Sequence, residues 1–211
     1  MPSFLRGAAS RQPTALPLFP LKTVLFPGGM LPLKVFEQRY VTMTKACLKD
    51  DAPFGVCLLT RGEEVVRSPA GASELAFAPI GTRARIVSWD MPQLGIFHIR
   101  TEGITRFQVR SHSVSSDGLT VGEVTEIAPE PAREISEPFK PLARFLEVLI
   151  ERAGKDNFPA DLALGDASWV GYRLAEVLPL PLTIKQSMFE INDAEVRLTA
   201  LAQFLKKQNL L

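Results

Sequence analysis

The chain changes its hydrophobic period once. Up to about Ile127 the apolar residues come in short runs or alternate, and beyond Ala128-Pro129-Glu130-Pro131 they recur at helical spacing. Period two marks one face of a strand and period 3.6 one face of a helix, so the pattern predicts a β-rich first part and an all-helical second part. Between Leu16 and Leu33 the apolar runs are cut by Pro17, Pro20, Pro27 and Pro32. Proline cannot donate to a ladder, which predicts short, edge-like or bent strands, with Pro27-Gly28-Gly29 as a sharp turn. Phe36, Tyr40, Thr44, Cys47 and Leu48 then form one apolar stripe, predicting a helix that Asp50-Asp51 and Pro53 end. Residues 54–59 are almost continuously apolar, as in a buried strand. Residues 61–73 carry no pattern and read as a mobile loop. Strands follow over 82–89, 96–101, 106–113 and 119–127, separated by turn signals at residues 91–95, at Gly103 and at Asp117-Gly118. This spacing predicts an antiparallel meander or small barrel.

In the second part Leu142, Phe145, Leu146, Leu149 and Ile150 make a stripe that Gly154 is placed to stop. Asp166 can cap a helix with Val170, Leu174, Val177 and Leu178 on its apolar side, ended by Pro179-Leu180-Pro181. Thr183 and Gln186 fit a capping box. Asp193 can start a last helix with Leu198, Leu201 and Leu205 inward, either docked internally or paired with a second copy. Lys206 and Lys207 suit the negative end of its dipole. The expected division is a flexible N-terminus over 1–15, a β-rich lobe over 16–128 and a helical lobe over 134–211.

Composition narrows the function classes. The chain has 211 residues, 46% of them hydrophobic and 22% charged, which is ordinary for a globular protein with a real core. A formal net charge of +1 supplies no global drive toward nucleic acid or anionic membrane. Two cysteines, Cys47 and Cys57, are too few for a disulfide framework or a zinc site, which points to a reducing compartment. There is no signal-peptide pattern, and the prolines and lysines of residues 16–36 break that apolar stretch too often for a membrane helix. The expected location is the cytoplasm.

The chemistry of catalysis is not visible in the residues. No glycine-rich phosphate loop ends in Gly-Lys-Ser/Thr, and no serine sits in a Gly-x-Ser-x-Gly elbow. His98 and His112 fall in separate predicted strands and read as ordinary strand side chains, and Glu63-Glu64 as solvated loop residues. No catalytic, metal or cofactor-binding residue is assigned, and no cofactor is expected.

Several pieces agree in order and spacing with one family. Leu16-Pro17-Leu18-Phe19-Pro20-Leu21, Val24-Leu25-Phe26-Pro27-Gly28, Leu31-Pro32-Leu33 and Phe36-Glu37-x-Arg39-Tyr40 resemble the opening of the Lon protease N-terminal domain family. Phe54-Gly55-Val56, Gly81-Thr82-x-Ala84-x-Ile86 and Gly103-x-x-Arg106-Phe107 resemble its later strands. Leu174-Ala175-Glu176-x-Leu178-Pro179-Leu180, Lys185-Gln186-Ser187-Met188-Phe189-Glu190 and Arg197-Leu198 resemble its helical half. The resemblance runs from about Leu16 to Leu205. It implies an α+β fold, a PUA-like pseudo-barrel followed by a C-terminal helical bundle, without the ATPase and protease modules of full Lon. It also implies a non-enzymatic module that binds unfolded or peptide segments or a protein partner such as an ATP-dependent protease. The motif residues also have a purely structural reading, in which Phe36 and Tyr40 fill the core and Arg39 pairs with a carboxylate. The alternative function is RNA binding through strand faces bearing Arg83 and Arg85, and Arg106 and Arg110 with His112. A membrane partner is not expected.

Overall fold

The computed structural model describes residues 12–64, 75–155, 158–159 and 161–210. Among these the chain forms six strands and five α-helices. They are β1 (Thr14–Leu21), β2 (Met30–Val35), α1 (Gln38–Asp50), β3 (Phe54–Arg61), β4 (Ala76–Gln93), β5 (Ile96–Val114) and β6 (Thr120–Glu126), then α2 (Lys140–Ala153), α3 (Ala167–Val177), α4 (Leu182–Glu190) and α5 (Ala194–Lys207). The β-then-α order is the one the change of period predicts.

The strands are ordered β2-β5-β4-β3-β1-β6, and β6 also pairs with β5. That last pairing closes β5-β4-β3-β1-β6 into a barrel and leaves β2 as an added strand beside the first half of β5. All pairs are antiparallel except β1 with β3. The parallel pair joins strands buried over most of their length, the setting in which parallel pairing occurs. Leu16, Leu18, Cys57, Phe107 and Val124 fill the barrel. α1 covers one side through Tyr40, Met43 and Cys47 against Phe19, Phe54, Phe97 and Ile99, with the Phe19 and Tyr40 rings stacked at 3.8 Å.

The helices α2–α5 pack on the barrel through a third core, in which Val24, Phe26, Leu58 and Ala78 meet Leu142, Leu146, Leu174, Phe189 and Leu201. Asp166 and Asp193 cap α3 and α5 as expected, accepting from Trp169 N at 2.7 Å and from Glu195 N and Val196 N at 2.9 and 3.1 Å. Gly154, at φ +86°, ends α2. Leu198, Leu201 and Leu205 are fully buried, so the last helix docks internally.

Several local expectations are corrected. Gly103 does not end a strand; β5 runs through it without a break. Its role is close approach: the Pro27-Gly28-Gly29 turn crosses β5 there, with Gly28 N donating to Gly103 O at 2.7 Å and Gly103 N to Gly29 O at 2.9 Å. A Cβ at 103 would lie 2.3 Å from the Phe26 carbonyl oxygen. β4 starts at Ala76, ahead of the expected residue 82, because Ala76 and Phe77 pair with Arg61 and Leu59 of β3 and Ile80 pairs with Gln108 of β5, despite Pro79. Phe36 is half exposed and lies outside α1, whose N-cap is Glu37, so Tyr40 fills the core without it. Arg39 does pair with a carboxylate, Glu37 at 3.0 Å, and also donates to Gly118 O at 3.1 Å. The capping box at Thr183 does not form: Pro181 is the N-cap of α4, and Gln186 instead donates to the β4 carbonyl of Ile80 at 3.0 Å. Thr14 and Ala15, expected in a flexible arm, belong to β1. Residues 1–11 and 65–74, which hold most of that arm and most of the expected mobile loop, lie outside the described residues.

Candidate functional site

The four arginines of the RNA reading do not form one surface. Arg106 is buried and faces the helices, so it is not on the open strand face that RNA binding would use. Its Nη1 donates to Phe189 O at 2.9 Å and Ile191 O at 3.3 Å, and its Nη2 to the Asn192 side chain. Arg83 is half-buried, donates to Thr14 Oγ1 at 2.9 Å, and borders a small cleft against α1 with Met43 and Cys47. Arg85 is exposed and paired with Glu102 at 3.1 Å. Arg110 is exposed and donates to Thr125 Oγ1 at 3.1 Å. His112 lies against the Phe77 ring at 5.0 Å.

Arg106 belongs to a buried polar network that the sequence reading missed. Glu130, in the Pro-Glu-Pro connection between barrel and helices, accepts from Ser168 Oγ at 2.6 Å, Tyr172 OH at 2.7 Å and Arg197 Nη1 at 3.1 Å, and pairs also with Arg197 Nη2. Arg197 in turn donates through Nε to Met188 O at 2.9 Å and through Nη2 to Ile191 O at 2.6 Å, with its guanidinium 3.9 Å from the Tyr172 ring centre. Burial alone would raise the Glu130 carboxyl, but the bonds from Arg197 and Ser168 and the charge of Arg197 outweigh it and hold it below the usual carboxylate range. Burial pushes the Tyr172 hydroxyl up to about 12. The network satisfies the carbonyls at the end of α4 and ties that end to the barrel. Its groups are engaged with one another, which makes it a fastening.

The surface that is open to a ligand lies at the far end of the same strands. β3 begins at Phe54, opposite Ala84, so from Arg85 onward one side of β4 has no strand beside it among the described residues. Beyond that point β4 and the start of β5 project as a hairpin with β2 on its other flank. This hairpin exposes Val87, Trp89, Met91 and Leu94, the last at 90%. Trp89 contacts Phe97 at 5.8 Å and remains 55% exposed. Val87 also borders a cleft of about 950 Å³ between the sheet and the helices, with Met30, Arg100 and Glu102 on one wall and Phe158, Leu162 and Trp169 on the other. A second cleft of about 290 Å³, sharing Gly28 and Trp169 with the first, is lined by Ile104 and Tyr172 above Glu130. Nothing in the sequence singled out Trp89 or Met91. The readable signal was the run of apolar residues between 86 and 91, but a bulge between Ile86 and Ser88 turns Val87 toward the cleft beside Arg100 and Glu102 while Trp89 lies on the face of Phe97.

A barrel closed on itself, capped by one helix and fastened to a helical bundle, with an apolar hairpin and a shallow cleft, has the form of a binding module. Residues 15–207 match the model of the ATP-dependent protease La (LON) substrate-binding domain, and the chain belongs to that family. It is 28% identical to Lon protease 2 of Myxococcus xanthus over 213 residues and 26% identical to the Lon protease of Anaeromyxobacter dehalogenans over 213 residues. Each match covers 93% of this chain but only 24% and 23% of those proteins, so the chain spans about a quarter of the curated relatives it matches. Among solved structures it is similar to a Lon N-terminal domain protein from Xanthomonas campestris, with TM-score 0.72 and 34% identity over 90% of this chain and 98% of that one. The N-terminal domain of a Mycobacterium avium complex Lon protease shares the fold, with TM-score 0.58 and 18% identity over 92% and 98% of the two chains. No described helix is long and apolar enough to cross a membrane.

Proposed function

We propose that the chain is a non-catalytic module that binds extended, apolar stretches of polypeptide, as unfolded proteins present them, and that it works in the cytoplasm beside an ATP-dependent protease. The observation that carries this reading is the group of exposed apolar side chains on the distal hairpin, Val87, Trp89, Met91 and Leu94. Several large apolar side chains left in water on one hairpin carry a cost that a covering partner removes. Membership of a substrate-binding family supports the same direction. The buried charged groups support a module without chemistry of its own, because Glu130 is bonded to Arg197, Ser168 and Tyr172, and Arg106 and Arg197 donate to carbonyls at the end of α4. Both cysteines are free and buried; burial pushes the Cys47 thiol up to about 11 and raises the Cys57 thiol as well, so neither is a thiolate at neutral pH. Free thiols suit a reducing compartment.

The test is fluorescence anisotropy with a labelled model protein, once unfolded by reduction and carboxymethylation and once native. The unfolded form should bind and the native form should not. The double variant Trp89→Ala/Met91→Ala should weaken binding about tenfold or more, as removal of exposed aromatic anchors does. Unchanged affinity in that variant would remove the hairpin from the reading.

A further inference from the structure

We infer that the open edge of β4, from Arg85 to Met91, takes up a client segment as an added antiparallel strand; this rests on the polypeptide binding proposed above and specifies how it occurs. Closure of β6 onto β5 removes most edges of the sheet. Among the stretches left open in the described residues are the outer side of β2 and this stretch of β4. They are treated differently by the sequence. The β2 edge carries Pro32, which has no amide to offer, and the exposed Lys34, both of which discourage pairing. The β4 edge carries Ile86, Val87 and Trp89, which favour strands, and meets no proline before Pro92; a bulge between Ile86 and Ser88 bends it, and the ladder is regular from Ser88 to Asp90. Asp90 accepts the backbone amide of Met91 at 2.8 Å, where the β4–β5 register shifts before the hairpin turn.

The charges at the two ends of this edge set a direction. Arg85 stands at one end, exposed and shared with Glu102 of β5, and Asp90 stands near the other. A segment running antiparallel to β4, with a basic residue toward its own N-terminus and an acidic residue toward its C-terminus, meets both with opposite charge. Main-chain bonding along the edge would hold segments of varied sequence, with Val87, Trp89 and Met91 selecting apolar ones.

The probe is a synthetic peptide of alternating valine and threonine, with lysine near its N-terminus and glutamate near its C-terminus, tested on the full chain. Two derivatives carry backbone N-methyl groups on alternate residues, in one register or the other. In an added strand one set of amides faces β4 and the other faces solvent. One derivative should therefore bind about tenfold or more weakly, through loss of several hydrogen bonds, while the other stays near the parent. Exchanging the lysine and glutamate should weaken binding about threefold, as for exposed ion pairs. Amide exchange at residues 85–91 should slow in the complex. Equal responses to the two N-methyl registers, with Trp89-dependent binding intact, would overturn strand addition and leave polypeptide binding standing. Failure of every peptide and of the unfolded protein to bind would overturn both. A dimer of the free chain with amides 85–91 already protected would assign the edge to a second copy and overturn a client strand.

Discussion

The two halves of the β4–β5 ladder show how one kind of sequence is put to opposite uses. In the half around Arg106 the strands are sandwiched between the barrel interior and the helices, and a charged side chain there is fully engaged. In the half around Trp89 the same strands leave the barrel, and an aromatic side chain stands 55% exposed. Side-chain polarity would place these residues the other way round. The neighbours decide: the end of α4 offers Arg106 unpaired carbonyls, whereas beyond Ala84 β4 keeps β5 on one side and has no strand on the other among the described residues. A buried charge survives where hydrogen bonds replace water, and an apolar surface survives where it has a partner to bind.

Experiments can sharpen that contrast. The largest effect should come from Arg197→Ala, which strands Glu130 in the interior. A loss of about 3–5 kcal/mol is expected for breaking a buried pair, measured by urea unfolding. Glu130→Gln should change the acid limb of stability. Because the folded-state carboxyl is held below its ordinary range, it contributes stability above the unfolded-state value, and that contribution is lost as pH falls through the folded one. The variant should therefore be less stable at neutral pH and lose less on acidification over that window. An unchanged acid limb would mean that the network does not matter to folding.

A smaller loss, about 1–3 kcal/mol, is expected for Gly103→Ala, where the new methyl meets a backbone carbonyl that side-chain rotation cannot move. Asp193→Ala should cost about 1 kcal/mol through loss of the α5 cap. At the other end of the ladder Trp89→Ala should shift stability by less than about 1 kcal/mol while weakening client binding. If Trp89→Ala destabilised the fold as strongly as Arg197→Ala, the division into a fastening half and a binding half would be wrong.

Much of this fold is legible in the residues, and the limits of legibility are physical. The helix stripes and the Asp166 and Asp193 caps are local features, governed by residues within a turn or two of one another. The Gly103 error arises because a glycine permits both a turn and a close approach, and only the Pro27-Gly28-Gly29 crossing tells them apart. The capping-box error is similar: Gln186 could serve its own helix or a distant carbonyl, and Ile80 O claims it. Glu130 was invisible because Pro129 and Pro131 make its surroundings look like a plain linker, while its partners lie at Ser168, Tyr172 and Arg197.

By itself, then, the sequence determined the order of strands before helices, the helix ends and the identity of the family, because periodicity, caps and motif spacing act over short stretches of chain. The tertiary structure alone decided that β6 closes the barrel on β5, that Arg106 is a buried fastening and that Trp89 stands open. Closure and burial depend on which distant elements arrive beside a strand, and an alternating pattern reads the same whether a helix, a strand or water lies next to it.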